Sequence, residues 1–262
     1  MQQLVDVFLE IDKHPFDSMG SLVMSDSVPG GFDVQGFAQQ STYRIGTGAL
    51  GPFSSPLDGY RAVIESHLSK IASGELVAYH PLEAYLTHRF RLDVVGSLWK
   101  DVSSRGQFFL KHPDDKGDHI LVNDTFEIVG ILDWERTCAV SRAEAFSSPL
   151  MMWPVAKFYN SLNQLSPDEQ RFAEIFRERG RQDLSDCVFN SRNAQRFLFA
   201  LGPETPQHKK LIIDLFTGLQ QAFGFESEEW QVWKYKVLEK WKDDKLLRKL
   251  LELPESENGY LC

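Results

Sequence analysis

The chain has little cysteine, no long apolar run and no excess of basic charge, and each shortage excludes a class of protein. Its three cysteines, Cys138, Cys187 and Cys262, have no metal-ligand spacing, and an odd number cannot form a fully paired disulfide framework. The sequence has neither a signal peptide at its start nor an apolar run of about 18 residues. We therefore expect a cytoplasmic protein that does not cross a membrane.

Acidic side chains outnumber basic ones. The 262 residues include 37 aspartates and glutamates against 28 lysines and arginines, which gives a formal net charge of −9. Nucleic acids and anionic membranes are bound by basic patches, so this charge predicts neither as a partner. A hydrophobic share of 42% and a charged share of 25% are those of an ordinary globular protein.

Hydrophobic periodicity predicts an α+β protein that is mostly α-helical. The strongest helix start is Ser166-Pro167-Asp168-Glu169, which combines a serine cap, a proline in the first turn and a glutamate three residues after the cap. Predicted helices cover residues 1–12, 56–74, 81–99, 166–180, 184–201 and 211–223, and a last one carries Trp230, Trp233, Val237 and Trp241. This aromatic stripe is typical of core packing.

The predicted β structure is small. One or two brief strands are expected within residues 21–51, and residues 120–122 and 128–132 form a central β-hairpin with Asn123-Asp124 as its turn. We predict a single domain over residues 1–253 and a flexible tail over residues 254–262.

The most informative stretch is residues 108–135, FFLKHPDDKGDHILVNDTFEIVGILDWE. It places His112, Asp114 and His119 in one loop and Asp133 at the end of the hairpin. Phosphoryl transfer to a hydroxyl needs a carboxylate that accepts the proton of the attacking oxygen, and further ligands for magnesium. The order of these residues suits that chemistry.

This stretch resembles the aminoglycoside phosphotransferase and choline-kinase-like family, in particular its fungal-type branch. Members read HGD, then NILV, then a GIIDWE-like strand end, and this chain has HPDDKGDHILV followed by GILDWE. HPFDSMGSL near the start, GPFSSP and SSPLMMWPVAKFY extend the resemblance over nearly the whole chain. The resemblance implies the C-terminal lobe of a protein-kinase-like fold.

The resemblance also implies a role for each polar residue of the stretch. The predicted catalytic residues are Asp114, His112 and Asp133. Asp114 would be the catalytic base, Asp133 also the main metal ligand, and His112 a brace for the catalytic loop. His119 occupies the position of a second metal ligand. The pocket would be lined by Trp134, which is alternatively a wedge beneath the loop, and by Glu135.

Three departures separate the chain from an ordinary member of the family. Pro113 replaces the usual glycine, which fixes φ and removes a backbone donor. His119 replaces an asparagine, and imidazole is a poorer ligand than an amide oxygen for magnesium. The family's ATP-binding N-terminal lobe precedes the segment that resembles residues 1–20, so we expect it to be missing. No cofactor is therefore expected, and ATP and magnesium belong only to a kinase alternative.

Three functions remain open. The first is a biosynthetic enzyme of secondary metabolism that isomerises, cyclises or eliminates an apolar small molecule by acid–base chemistry without a nucleotide. The second is an ATP- and magnesium-dependent kinase of a small-molecule hydroxyl, completed by another chain. The third is a non-catalytic, pseudokinase-like binding protein. An exposed apolar floor would favour a homodimer that covers the face left by the missing lobe.

Overall fold

The computed structural model describes residues 1–38, 48–76, 78–98, 107–112, 114–199, 206–226 and 228–252. The structure is α+β and about 53% helical, with a small antiparallel sheet, which confirms the predicted class. Pro113 and the predicted tail at residues 254–262 lie outside the described residues. No helix within the described ranges is long and apolar enough to span a membrane.

The secondary structure follows the chain in this order. The helices are α1 Gln2–Asp12, α2 Pro56–Ser73, α3 Pro81–Val94, α4 Arg142–Ala145, α5 Val155–Tyr159, α6 Pro167–Glu178, α7 Gln182–Phe189, α8 Ser191–Phe199, α9 Lys209–Ala222, α10 Trp230–Lys240 and α11 Lys245–Leu251. The strands are β1 Gly20–Met24, β2 Phe32–Gln35, β3 Phe108–Lys111, β4 Ile120–Val122, β5 Ile128–Ile131 and β6 Cys138–Ser141. Short 3₁₀ turns cover Val95–Ser97 and Leu150–Met152.

Two predicted helices differ from the observed ones. The helix predicted over residues 184–201 is split into α7 and α8, because Asn190 leaves the helical conformation (φ −96°, ψ 8°) and its N–H caps α7. Asparagine favours such terminal positions because its side chain competes for backbone hydrogen bonds. The helix predicted over residues 81–99 ends at Val94 and tightens into the 3₁₀ turn that follows.

The chain divides into two compact units. The first unit comprises Met1–Gly59, Asp101–Pro154 and Gln164–Gln195, and the second unit comprises Tyr60–Lys100, Val155–Asn163 and Arg196–Cys262. The single domain over residues 1–253 stays a prediction.

The first unit contains a four-stranded antiparallel sheet in the order β2-β1-β6-β3. Its register pairs Gly20 with Ala139 and Phe108 with Ser141, so partners come from distant parts of the chain. All four residues of β6 are buried, and β2 is the exposed edge. Only glycine fits at position 20, because a Cβ there would collide with the carbonyl oxygen of Gln35.

The predicted hairpin is present as a separate two-stranded sheet, β4-β5. A hairpin of two strands is only marginally stable by itself. Here a residue of helix α1 forms hydrogen bonds with the turn. The Gln3 side chain donates from Nε2 to Phe126 O (3.2 Å), and its Oε1 accepts from Ile128 N (2.6 Å). The Gln3 amide thus forms hydrogen bonds with the hairpin backbone of the kind that a third strand would form, and these bonds tie the hairpin to α1.

An aromatic cluster joins α1 to α6 within the first unit. Phe8 meets Phe146, Phe172 and Phe176 edge to face, with ring centroids 6.3, 5.3 and 6.3 Å away. The capping box predicted at the start of α6 is present, since the Ser166 hydroxyl accepts from Glu169 N and the Glu169 carboxylate accepts from Ser166 N. The aromatic contacts hold α1, which carries one wall of the site described below, against α6.

The second unit packs around aromatic side chains. Phe90 on α3 lies 5.2 Å from Phe216 and 6.3 Å from Trp233, measured between ring centroids. Trp230, Trp233 and Trp241 are buried, as the aromatic stripe predicts.

Acidification is expected to destabilise the protein through His67 in the second unit. Burial, then Arg91 and Lys70, lower the pKa of His67 to about 4, and neither ring nitrogen has a hydrogen-bond partner in the described ranges. The unfolded chain, whose histidine titrates near 6.5, therefore binds more protons between these two values. Hence the free energy of unfolding falls as the pH drops from 6.5 to 4, by about 1.4 kcal/mol per pH unit.

Urea unfolding across this pH range checks the expectation. His67→Leu should reduce the slope, and the remaining slope should include the contribution of the buried His88, whose pKa is lowered mainly by burial. Equal slopes in the wild type and the variant would contradict the role given to His67.

Candidate functional site

Two histidines from the central loop lie face to face in the first unit. The rings of His112, which follows β3, and His119, which precedes β4, are 4.2 Å apart between centroids and inclined by 17°. The backbone of Leu132 joins both, because its N–H donates to His119 O and its carbonyl accepts from His112 Nε2, each at 2.9 Å. The end of the hairpin therefore sets the stacking of the pair.

His112 is fully engaged by the backbone. Its Nδ1 accepts from Asp114 N at 3.2 Å, so this nitrogen carries no proton, and the ring must donate to Leu132 O from Nε2. Trp134 stands edge-on against the ring at 5.1 Å, and its indole N–H donates to Ile131 O at 2.9 Å. These contacts hold the His112 ring in place, and its role as a brace for a catalytic loop stays a prediction.

The polar contacts of the His119 ring differ from those of His112. The His119 side chain is only 8% exposed, and its buried Nδ1 has no hydrogen-bond partner among the described residues, with the Asp118 carboxylate 4.0 Å away. Burial, and then the neighbouring His112, lower the pKa of His119 below its ordinary value, against the opposing effect of Asp115. The ring is therefore neutral at pH 7 and keeps a free lone pair.

Asp115 anchors the loop to the segment that follows β6. Its Oδ1 accepts from Leu150 N at 2.8 Å, its carbonyl accepts from Met151 N at 3.2 Å, and its carboxylate pairs with Lys111. Both charged side chains are largely buried, at 15% and 18% exposure. Asp115 thus holds the loop in place.

Asp114 and Asp133, the two aspartates with predicted catalytic roles, have few polar contacts. Asp114 is half exposed and pairs with Lys116 at 3.0 Å. Asp133 is exposed, and no hydrogen bond or ion pair joins it to another described residue. It has a left-handed backbone (φ 62°), which is uncommon for a residue other than glycine and turns the chain sharply after β5.

A cavity of about 40 Å³ lies beside the histidines. His119, Asp115 and Lys111 line it from the polar side, and paired Ile120 and Ile131 from the hairpin. Most of its remaining wall is apolar, namely Leu4, Val7, Phe8, Ile11, Leu110, Ala145, Pro149 and Met151, with His112 and Trp134 at one side. The predicted pocket residue Trp134 is part of the wall, whereas Glu135 is exposed and is not.

The sequence reasoning missed part of this site. Leu4, Val7, Phe8 and Ile11 follow the i, i+3, i+4, i+7 spacing of one helix face, which could have marked α1 as a wall. No sequence pattern marked Lys111 and Asp115 as part of the site, because their ion pair depends on how the loop between them folds.

The donor atoms do not fit magnesium. Within the described ranges, no three His, Cys, Asp or Glu side chains come together to hold a metal ion. Of the two predicted ligands, Asp133 is exposed, and the buried His119 offers nitrogen where magnesium prefers oxygen. We therefore derive no step through magnesium or ATP.

Comparison with known proteins adds no relative. No protein-family model matches this chain. No curated protein and no solved structure matches it either. The phosphotransferase-like lobe accordingly remains an interpretation of the sequence motifs.

Proposed function

We propose that the first unit is a small-molecule enzyme that moves a proton on an apolar metabolite without a nucleotide, with His119 as the base. The observation that carries the proposal is the His119 ring, whose Nδ1 has no hydrogen-bond partner among the described residues, in the wall of a mostly apolar cavity. A base works best when its pKa lies near or below the working pH, so that its neutral form prevails. Burial lowers the pKa of His119 from its ordinary value and so favours the neutral, proton-accepting form.

The surroundings of His119 support a role as a base. His112 is occupied by the backbone on both nitrogens and cannot take up a substrate proton without losing a hydrogen bond. A proton gained by His119 would be stabilised by Asp115 and Asp118, which both raise its pKa. The site therefore combines a neutral base with nearby carboxylates that favour its protonated form.

The cavity limits the substrate. A volume of about 40 Å³ admits an apolar group of a few atoms and not a whole metabolite, since a single water needs roughly 10–15 Å³ on this scale. The remainder of a longer molecule would lie over the exposed wall side chains Trp134 and Met151. We therefore expect a substrate with a short apolar end next to the acidic C–H or O–H group.

A probe reaction tests this function directly. Nitrobenzisoxazole loses its ring C–H proton to a base while the C–H electron pair forms a nitrile and the N–O bond breaks to give a coloured phenolate. We expect the protein to accelerate this elimination above free imidazole at equal concentration. The acceleration should be the same with EDTA and with added magnesium and ATP.

The alternatives predict different results. Transfer of a phosphate from ATP to a hydroxyl, followed by phosphorus NMR, would support the kinase instead. Binding of the probe without any turnover would support the non-catalytic binding protein.

A further inference from the structure

The second unit contains a cavity of about 260 Å³, close to the lower end of the range of small-ligand sites, about 300–1,000 Å³. Protein interiors are close-packed, with few voids larger than a water molecule. Apolar side chains form most of the wall, namely Phe90, Val94, Phe225, Trp233, Val237 and Trp241. Phe90 stands edge-on to Phe225 and Trp233, with ring centroids 5.2 and 6.3 Å away. Such a wall favours a flat, apolar ligand body.

One polar side chain in this wall has no hydrogen-bond partner in the protein. Gln220, in the last turn of α9, is 3% exposed, and its side-chain amide forms no hydrogen bond with a described residue. Neither polar atom of the amide is fully enclosed, so the amide meets open space, and the open space that Gln220 lines is this cavity. Buried polar groups are nearly always hydrogen-bonded, so a free amide at a cavity indicates a ligand with matching polar atoms.

The segment that follows α9 adds an aromatic ring and a charge to the wall. Phe225 N donates to Gln220 O at 3.0 Å, and the Phe225 side chain is 48% exposed. The next residue, Glu226, is exposed and has no ion pair with a described residue. Carboxylates outnumber ammonium groups among the charged wall residues, with Asp93, Glu226 and Glu228 against Lys240. This excess of negative charge disfavours an anionic ligand.

We propose that this cavity binds a planar heterocycle that contains a ring amide and carries no negative charge. The N–H of the ring donates to Gln220 Oε1, and the ring carbonyl accepts from Gln220 Nε2. An open-chain amide is trans and directs its N–H and C=O to opposite sides, whereas a ring holds both groups on one edge, where they can meet the Gln220 amide together. The flat body packs against Phe90, Phe225 and Trp233. The site lies within the second unit and does not depend on His119.

Three bicyclic probes test the proposal by calorimetry on the full chain. Quinolin-2-one has the ring N–H and carbonyl, 1-methylquinolin-2-one lacks the N–H, and quinoline-2-carboxylate is an anion. Quinolin-2-one should bind about fivefold more tightly than its methylated form, which corresponds to one ordinary hydrogen bond, and the anion should bind more weakly than both. Equal or tighter binding of the methylated form, tightest binding of the anion, or no binding of quinolin-2-one at millimolar concentration would overturn the proposal.

Two variants locate the binding site. Gln220→Leu removes the amide and keeps an apolar side chain, so quinolin-2-one and its methylated form should bind with equal affinity. The amide has no partner in the protein, so the stability in urea should not fall. Gln221→Leu makes the same chemical change at the next residue of α9, which is exposed and does not line the cavity, and it should keep the preference of about fivefold. A preference that survives in Gln220→Leu, or that is lost equally in both variants, would contradict the assignment.

Discussion

Replacing His119 with phenylalanine is expected to lower the rate of nitrobenzisoxazole elimination by about 100-fold or more, the usual contribution of a general base. Phenylalanine keeps a planar ring against His112 and removes both nitrogens. Because the buried Nδ1 has no hydrogen-bond partner among the described residues, the free energy of unfolding should not fall. Loss of rate with unchanged unfolding separates a chemical role from a structural one.

The same assay has an expected pH dependence. Only the neutral ring accepts a proton, and the pKa of His119 is lowered by burial. The wild-type rate should therefore rise with pH up to a pKa below the ordinary histidine value of 6.5 and stay level above it. A profile still rising above pH 7 would indicate a different base.

Two further variants control for other groups. His14→Phe makes the same chemical change at an exposed histidine that lies outside the cavity, so the rate should not change. Asp114→Asn tests the base predicted from the family resemblance. If Asp114→Asn abolishes the reaction while His119→Phe does not, the roles of the two residues are reversed.

Replacing Glu169 with leucine is expected to lower the free energy of unfolding by about 3–5 kcal/mol, the usual effect of removing one partner of a buried ion pair. Glu169 is fully buried and meets Arg192, 6% exposed, at 2.8 Å. Its carboxylate also accepts from the Ser148 hydroxyl and from Ser166 N, both at 2.7 Å. The variant leaves a buried guanidinium without its carboxylate and removes the Glu169 half of the α6 capping box. Urea denaturation measures the change.

The same helix offers a matched control. Glu178 is exposed and pairs with Arg171 at 2.6 Å, and exposed pairs contribute little to stability. Glu178→Leu should therefore have a much smaller effect. The double replacement of Glu169 by leucine and Arg192 by methionine should recover part of the loss, because no unpaired charge remains. A double variant less stable than Glu169→Leu would contradict the explanation.

Local signals predicted the local structure. The serine cap, proline and glutamate at residues 166–169 predict α6 because each satisfies backbone groups within one turn. The hairpin follows from two short apolar runs around Asn123, whose side chain accepts from Thr125 N and Glu127 N. Helix α1 follows from its apolar spacing.

Long-range structure was not predictable in the same way. The four-stranded sheet pairs Gly20 with Ala139, and its strands are four or five residues long, which is too short for a distinct pattern. The motif placed His112, Asp114, His119 and Asp133 in order along the chain but could not show which of them would be free. That depends on the register of β4 and β5, which brings Leu132 to both histidines, while His119 Nδ1 has no hydrogen-bond partner among the described residues.

The most direct measurement of the central claim is the rate of nitrobenzisoxazole elimination in EDTA, without nucleotide, by the wild type and by His119→Phe. A base at His119 predicts turnover by the wild type and loss of about 100-fold or more in the variant, with equal stability in urea. The claim is contradicted if the two proteins turn over the probe at the same rate, or if turnover requires magnesium and ATP.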